Sequence, residues 1–464
     1  MINVIPHPKV IVENDGAFDV ADLRNMSVNC DLVQSVAGQF RQDLESWTGI
    51  KINAARTLEN RLPGDIRLEL IVGGSETLSP ESDSADGKYS LTIDSEGVLI
   101  SSVSREGIYR GLTTLLQLVA TGNGALPFVE IEDNARYMWR GLSVDVARSF
   151  SPVEEVKRVI DVMALYKLNV FHLHLNDNEG WRLQLDSRPR LTPPGAEFFS
   201  SANLQEITEY ANARFITVIP ESDFPGHVGA AIKAYPSLNP GVVAGLDDLF
   251  PRANLDPDSV DAWDFVDEVL TDLVGFTPGP YIHIGGDEAF GMDDEAHEAF
   301  VNRAIETVSG LGKKVVGWQE ISRANIGPSQ IVQHWIDFSA EGAEGVEIDV
   351  DEQSTSIGIP PDTLAMLRDN FMKAVQDVGR IVEKGARVIM SPTGNAYLDR
   401  PHAEGSKSPA QNARKSEFGL AFYPPTPLTA YFDWEEYADR LSWHSILWNR
   451  TGFSWYQTDS IKWV

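Results

Sequence analysis

The sequence has little cysteine, little positive charge and no long apolar run. Cys30 is the only cysteine in 464 residues, so no intramolecular disulfide can form, which fits a reducing compartment. Lysine and arginine number 38 against 68 aspartate and glutamate, and the formal charge of −30 disfavours nucleic acid and anionic membranes as partners. No apolar run reaches the length of a membrane span. A neutral or cationic ligand would meet none of these barriers.

The N-terminus also lacks a basic segment followed by an apolar stretch, which is the pattern of a secretory signal. We therefore expect a cytoplasmic protein. A secreted protein whose leader has been removed would have the same sequence pattern. The sequence makes no prediction about the oligomeric state.

Residues 1–135 are predicted to form a small α/β domain. Apolar and polar residues alternate at Ile66–Leu70 and Tyr89–Ile93, as in half-buried strands, and Asp94–Gly97 is predicted to turn the chain into a hairpin. Apolar residues then recur at helical spacing over Ile108–Val119. This domain contains no cluster of reactive side chains, so we expect it to support the rest of the chain.

From residue 136 to 464 the pattern becomes strand, loop and helix, repeated. The predicted strands are Arg140–Val146, Asn169–Leu175, Phe215–Glu221, Tyr281–Gly286, Lys314–Trp318, Gln330–Trp335, Arg387–Ser391 and, more weakly, Leu441–Trp448. The run Ser151–Glu154 is predicted to be a capping box with proline at the first helical position. The pattern predicts a (β/α)8 TIM barrel with expanded loops. A doubly wound open sheet is the alternative, but no glycine-rich phosphate fingerprint follows the first strand.

Two adjacent carboxylates, Asp287 and Glu288, follow the fourth predicted barrel strand directly after Gly285 and Gly286. Carboxylates this close cannot both ionise freely, so the pKa of one is raised. A protonated acid beside an ionised base is what cleavage of a glycosidic bond needs. The alternative is a solvated acidic pair at the N-terminus of the next helix.

The carboxyl ends of the other barrel strands are predicted to converge on the same mouth. The candidate residues there are Arg140, Asp145, His174, Asp177, Trp181, Glu221, Asp223, His227, Asp287, Glu288, Trp318, Glu320, Trp335, Tyr397 and Asp399. Sugar faces stack on aromatic rings, and sugar hydroxyls form hydrogen bonds with arginine and carboxylates, so this set predicts a carbohydrate site.

Several of these residues have a second interpretation. His172 and His174 are either core histidines with satisfied hydrogen bonds or the ligands of a metal-dependent hydrolase. Trp318 and Trp335 could be ordinary core residues, and Arg140 could be a plain salt-bridge partner. The conjunction of all these residues favours the sugar site.

Seven ordered segments resemble the family 20 glycoside hydrolases, the β-N-acetylhexosaminidases. They are Trp139–Arg148, His172–Arg182, Pro220–His227, His283–Glu288, Gly317–Trp318, Gln333–Trp335 and Tyr397–Asp399. The resemblance implies an exo-acting enzyme that removes terminal β-linked N-acetylglucosamine or N-acetylgalactosamine from an oligosaccharide or glycoconjugate. It also implies retention of configuration, with the 2-acetamido oxygen of the substrate as nucleophile and an oxazolinium ion as intermediate.

The resemblance implies catalytic roles for five residues. Glu288 is the general acid and then the base, Asp287 orients the acetamido N–H, and Tyr397 donates to the acetamido carbonyl oxygen. Asp177 and His227 form a buried pair that tunes Glu288. Because Asp177 and His227 already have this role, we expect no cofactor and no essential metal.

Further residues are implied to bind the substrate. Trp318 and Trp335 would wall the pocket of the acetyl methyl, Arg140 would bind the 3- and 4-hydroxyls, and Asp399 would bind further hydroxyls. Trp448 is the best match for the tryptophan that the family places after strand eight.

The chain departs from the family pattern at this last strand. Two residues after Trp448, Arg450 stands where the family has a glutamate that binds the 4- and 6-hydroxyls. A sugar-binding homologue with impaired catalysis is therefore the alternative to an active enzyme.

Overall fold

The protein is described by a computed structural model that covers most of the chain. The described residues are 2–71, 87–241, 253–336, 361–399, 403, 405, 408–413, 427, 429 and 461–463. Among the helices in these ranges, none combines the length and the apolar character needed to cross a membrane.

The N-terminal part forms a seven-stranded mixed sheet in the order β1-β7-β5-β6-β4-β2-β3. Its strands are β1 (Val10–Asp19), β2 (Asn25–Val28), β3 (Arg56–Thr57), β4 (Asp65–Leu70), β5 (Tyr89–Asp94), β6 (Gly97–Ser102) and β7 (Ala125–Asp133). The helices of this part are α1 (Gln34–Thr48) and α2 (Arg105–Thr121). Strands β5 and β6 pair antiparallel across the predicted hairpin turn. Helix α2 is almost entirely buried, because it packs against this sheet and also against the rest of the protein.

The second part contains eight parallel strands that neighbour one another in chain order. They are β8 (Gly141–Asp145), β9 (Val170–His174), β10 (Thr217–Glu221), β11 (Tyr281–His283), β12 (Lys314–Trp318), β13 (Ile331–His334), β14 (Arg387–Met390) and β15 (Ile461–Trp463). The first seven correspond to predicted strands. The predicted eighth strand, Leu441–Trp448, lies outside the described residues, and β15 is the strand that pairs with β14.

Helices separate most of these strands. They are α3 (Val153–Leu165), α4 (Ser201–Asn212), α5 (Gly229–Ala234), α6 (Val260–Phe276), α7 (Asp294–Gly310), α8 (Pro361–Ala374), α9 (Asp377–Glu383), α10 (Thr393–Ala396) and α11 (Pro409–Ala413). The alternation of parallel strands with helices confirms the predicted barrel class.

Apolar residues from most barrel strands form one interior layer. The layer consists of Trp139, Val170, Ile219, Tyr281, Val316, Ile331 and Ile389, all buried. Six of the strands each contribute one of these residues, and Trp139 precedes the first strand. A shared layer of this kind is what the filled interior of a TIM barrel requires.

The predicted capping box at the start of α3 is wrong. Pro152 occupies the N-cap position with extended backbone angles, and no side chain caps this helix. The helix therefore begins one residue later than predicted, and Ser151 falls outside it. Glu154 and Glu155 in the first turn instead interact favourably with the helix dipole.

Candidate active site

Arg140 lies at the amino end of β8, away from the mouth at which the strands end. Its Nε donates to the carbonyl of Lys167 at 2.8 Å, and its Nη1 donates to the carbonyl of Tyr137 at 2.6 Å. The prediction that Arg140 binds sugar hydroxyls is therefore wrong. Arg140 immediately precedes Gly141, the first residue of β8, so its guanidinium joins loops at the opposite end of the barrel.

Arg148 is the arginine that lies just past the carboxyl end of the same strand. Its Nη1 donates to Asp145 Oδ2 at 2.7 Å, and its Nη2 donates to Asp177 Oδ2 at 2.8 Å. A third acidic group, Glu179, lies 3.6 Å from Nε. The side chain is 46% exposed, so part of the guanidinium faces the mouth.

A buried aspartate–histidine pair lies beside the two adjacent carboxylates, as the resemblance implies. His227 Nδ1 donates to Asp177 Oδ1 at 3.0 Å. His227 Nε2 lies 3.5 Å from Glu288 Oε2 and 3.7 Å from Asp287 Oδ2, which are ionic contacts rather than hydrogen bonds. Burial alone would lower the pKa of His227, but the charges of Asp177 and Asp287 hold it well above its ordinary value.

The loop after β11 needs glycine at two consecutive positions. Gly285 and Gly286 have φ angles of 68° and 98°, in the left-handed region that favours glycine. A Cβ atom at Gly285 would lie 1.6 Å from Asp223 Oδ1. Glu288 adopts φ 46° without being a glycine, a conformation that costs on the order of 1–3 kcal/mol and clusters at active sites.

Asp287 shares its buried environment with Asp223 more than with Glu288. Burial raises the pKa of Asp287 well above its ordinary value, and the charge of Asp223 raises it further. Burial likewise raises the pKa of Asp223 to about 7. The sequence predicts that adjacent carboxylates shift one another, whereas the strongest carboxylate neighbour of Asp287 comes from the loop after β10.

Aromatic side chains form a wall beside the loop after β11, where the backbone N–H of Trp318 donates to the carbonyl of Gly285 at 2.9 Å. Trp318 and Trp335 are buried in one cluster with Ile336, and Tyr397 packs against it. The structure therefore brings the three predicted aromatic residues together. Asp399 follows two residues after Tyr397 and is exposed, while Trp448 and Arg450 lie outside the described residues.

The two histidines of β9 are held by carboxylates. His172 Nε2 lies 2.8 Å from Glu221 Oε2, and His174 Nδ1 lies 2.6 Å from the same oxygen. His174 Nε2 contacts Asp177 Oδ2 at 2.9 Å. These are direct hydrogen-bond distances, and they are shorter than the roughly 3.3 Å that separates two ligand atoms bound at 2.0–2.1 Å to a tetrahedral zinc ion. The geometry favours the interpretation of satisfied core histidines.

Comparisons with known proteins agree with this geometry. The family description "Glycosyl hydrolase family 20, catalytic domain" matches residues 137–446, and "Glycosyl hydrolase family 20, domain 2" matches residues 1–134. A β-N-acetylhexosaminidase from Cellulomonas fimi is 33% identical, with 100% of this chain and 97% of that protein covered. The chain belongs to glycosyl hydrolase family 20. It is a glycoside hydrolase of the β-N-acetylhexosaminidase type, as predicted.

Solved structures show the same fold as this family 20 enzyme. A mutant β-hexosaminidase from Streptomyces plicatus in complex with the product GlcNAc has a TM-score of 0.74 and 26% identity, with 99% of this chain and 97% of that chain covered. A GH20 β-N-acetylhexosaminidase from Streptomyces coelicolor A3(2) has a TM-score of 0.71 and 27% identity, with coverages of 99% and 98%. These likenesses confirm the predicted TIM barrel preceded by an N-terminal domain.

Two contributors to the site of this family 20 enzyme were missed from its sequence. Arg148 is one of them, and its position just past Asp145, the last residue of β8, is the sequence signal that distinguishes it from Arg140. Asn176 was also missed: its Nδ2 donates to the carbonyls of Asp223 and His227 at 3.1 Å each, which fixes the loop after β10. No local pattern marks Asn176, because its partners lie far away in the sequence.

Proposed function

We propose that this enzyme removes terminal β-linked N-acetylglucosamine or N-acetylgalactosamine from oligosaccharides or glycoconjugates, with retention and by substrate-assisted catalysis. One observation carries the proposal: the buried Oδ1 of Asp287 has no hydrogen-bond partner among the described residues. A buried acceptor without a donor is costly unless a ligand supplies the donor. The N–H of a 2-acetamido group is a donor of the right kind.

Glu288 is proposed as the acid that protonates the glycosidic oxygen and then as the base that activates water. Its carboxylate is 20% exposed and faces His227, whose cation stabilises the ionised form after the proton leaves. Asp177 holds His227 in this orientation through the hydrogen bond to Nδ1. Glu288 is therefore accessible to a substrate, and the positive charge of His227 is held next to it.

Asp287 is proposed to hold the acetamido group for attack on the anomeric carbon. As the amide nitrogen gains positive charge in the oxazolinium ion, an ionised Asp287 stabilises it in a site shielded from water. A donor N–H facing Asp287 favours the ionised form of Asp287. Because burial disfavours the ionisation of both carboxylates, the remaining proton then resides on Asp223. The wall of Trp318, Trp335 and Tyr397 confines the acetyl group close to attack geometry.

Arg148 is proposed to bind the hydroxyls that the resemblance had implied for Arg140. It faces the mouth while three carboxylates hold its guanidinium. A guanidinium donates in a fixed fork that suits pairs of neighbouring hydroxyls. Asp399 and Trp448 stay predicted substrate contacts.

NMR of the first-formed sugar tests this function. With a nitrophenyl N-acetyl-β-glucosaminide as substrate, we expect the β-anomer to appear first and the plain glucoside to be hydrolysed far more slowly. An initial α-anomer, or equal activity on the glucoside, would refute the substrate-assisted mechanism. Binding of N-acetylglucosamine without turnover would instead favour the impaired sugar-binding homologue.

A further inference from the structure

Glu221, the last residue of β10, is a fully buried carboxylate with four polar neighbours. Its Oε1 accepts the indole Nε1–H of Trp318 at 2.8 Å and lies 3.0 Å from His283 Nδ1. Its Oε2 lies 2.8 Å from His172 Nε2 and 2.6 Å from His174 Nδ1. Three other barrel strands therefore converge on one carboxylate, and both of its oxygens are fully engaged.

One of these contacts leads to the general acid. His174 bridges Glu221 and Asp177, at 2.6 Å and 2.9 Å. Asp177 in turn accepts from His227 Nδ1, whose Nε2 faces Glu288. We call His174, Asp177 and His227 the histidine arm. A displacement of the Glu221 carboxylate would move this arm, because its three residues and Glu221 are buried and joined by contacts of 2.6–3.0 Å.

Another contact leads to the aromatic wall. The Trp318 indole has its N–H fixed by Glu221, and its ring lies 5.1 Å from the ring of His283. The second wall residue, Trp335, is held differently, because its indole N–H donates to Glu320 Oε2 at 3.2 Å. The two indoles therefore have separate carboxylate anchors, and only that of Trp318 also contacts the histidine arm.

We propose that Glu221 is a positioning residue that couples the acetamido pocket to proton delivery, by fixing the Trp318 indole and the histidine arm with one carboxylate. This inference rests on the proposed function, in which Trp318 confines the acetyl group and Glu288 supplies the proton. Glu221 touches no reacting atom. Its effect passes through the side chains that it orients.

A double-mutant cycle between Trp318→Phe and His174→Gln tests the coupling. Phenylalanine keeps a ring in the wall but removes the N–H that Glu221 accepts. Glutamine keeps a donor near the position of Nε2, toward Asp177, but loses the contact of Nδ1 with Glu221. The readouts are kcat/KM for a series of aryl N-acetyl-β-glucosaminides and the affinity for a thiazoline analogue of the oxazolinium ion.

We expect Trp318→Phe to weaken thiazoline binding and His174→Gln to steepen the dependence of kcat/KM on the leaving group. The loss of kcat/KM in the double variant should differ by about tenfold from the product of the losses in the two single variants, because residues that share a partner do not act independently. In a Glu221→Gln background this deviation should disappear. If Glu221 is intact and the loss of kcat/KM in the double variant equals the product of the two single losses, the proposal is overturned.

The matched control is the cycle between Trp335→Phe and His174→Gln. The indole of Trp335 is anchored by Glu320 and not by Glu221. The loss of kcat/KM in the double variant should therefore equal the product of the losses in Trp335→Phe and His174→Gln. An equal deviation in both cycles would show general loosening of the barrel and would also overturn the proposal. If Glu221→Gln does not fold, the proposal is tested by comparing the Trp318–His174 cycle with the Trp335–His174 cycle.

The wild-type enzyme separates this inference from the proposed function. If wild type neither cleaves the N-acetyl-β-glucosaminides nor binds the thiazoline, the proposed function fails. If wild type does both and the Trp318 and His174 losses multiply, only the role of Glu221 fails.

Discussion

The two ends of strand β8 carry arginines with opposite tasks. At the amino end, Arg140 donates to backbone carbonyls, one of which belongs to Lys167. The Lys167 side chain donates to Tyr89 Oη at 2.9 Å and to Asp133 at 3.2 Å, and these contacts join the barrel to the N-terminal domain. At the carboxyl end, Arg148 pairs with carboxylates and stays half exposed. The amino end holds the structure together, while the carboxyl end keeps polar groups available for a ligand, as in other TIM barrels.

Replacing the proposed general acid should give the largest effect. Glu288→Gln should lower kcat by on the order of 10²–10⁴ for poor leaving groups, the usual contribution of a general acid. The loss should shrink for good leaving groups, which need less protonation. Asp287→Asn should slow both kinds of substrate alike, because acetamido attack expels either one. Steady-state kinetics on aryl glycosides measure both variants, and the same leaving-group dependence in both would refute this division of roles.

The glycines that flank β11 sharpen the comparison between the two ends. Gly285→Ala, at the carboxyl end, should lower kcat/KM by about 10²-fold, because the new Cβ would displace Asp223 and with it Asp287. Gly279→Ala, at the amino end, places its Cβ 3.1 Å from the carbonyl of Val218 and should change kcat/KM little. The measurement is kcat/KM of the two variants, after circular dichroism has shown that both are folded. Equal losses in both would show that the two ends do not differ in function.

The two arginines should separate stability from substrate binding. Arg140→Ala should lower the free energy of unfolding by about 2–3 kcal/mol with little change in KM, since the partly buried carbonyls of Lys167 and Tyr137 lose the hydrogen bonds from its guanidinium. Arg148→Ala should lower kcat/KM by roughly 10–100-fold, the value of a hydrogen bond from a charged group. Denaturant unfolding and kinetics on the same two variants test this. The reverse pattern would restore Arg140 as the sugar-binding residue.

The pH dependence of stability should have opposite signs at the two ends. Burial lowers the pKa of Lys167 from 10.5 to about 8, so the unfolded chain holds the proton more tightly. The free energy of unfolding should therefore rise between pH 8 and 10.5, by up to about 3 kcal/mol from this group. His227 has a raised pKa, so its contribution is complete below about 6.5 and is lost as pH rises through the folded value.

Denaturant unfolding of wild type, Lys167→Met and His227→Gln over this pH range measures both signs. The difference between wild type and Lys167→Met should grow in favour of wild type as pH rises above 8. The difference between wild type and His227→Gln should shrink as pH rises. Parallel slopes for all three proteins would contradict both assignments.

The same two ends show why parts of the molecule could be predicted from sequence. Parallel strands alternating with helices leave a strong repeating pattern, so seven barrel strands were found. The predicted first strand began at Arg140, whereas β8 begins at Gly141. Both bounds place Arg140 at the amino end of the strand, so the predicted strand itself contradicts the assignment of Arg140 to the carboxyl-end site, and Arg148 is the arginine just past that end.

The candidate site divides in a similar way. Asp287, Glu288, Asp177 and His227 could be predicted because each follows a strand, and the carboxyl ends of parallel strands converge. The convergence of three histidines and an indole on Glu221 could not be predicted in the same way. It depends on the register in which β10 pairs with β9 and β11, which places Glu221 opposite His174 and His283.

The central claim is that the acetamido group of the substrate is the nucleophile at the carboxyl end of the barrel. Its most direct test is kcat/KM for a series of aryl glycosides whose N-acetyl methyl carries none, one, two or three fluorine atoms. Fluorine withdraws electron density from the carbonyl oxygen, so the account predicts a steady fall in kcat/KM along the series. Values that do not change with fluorination would contradict it.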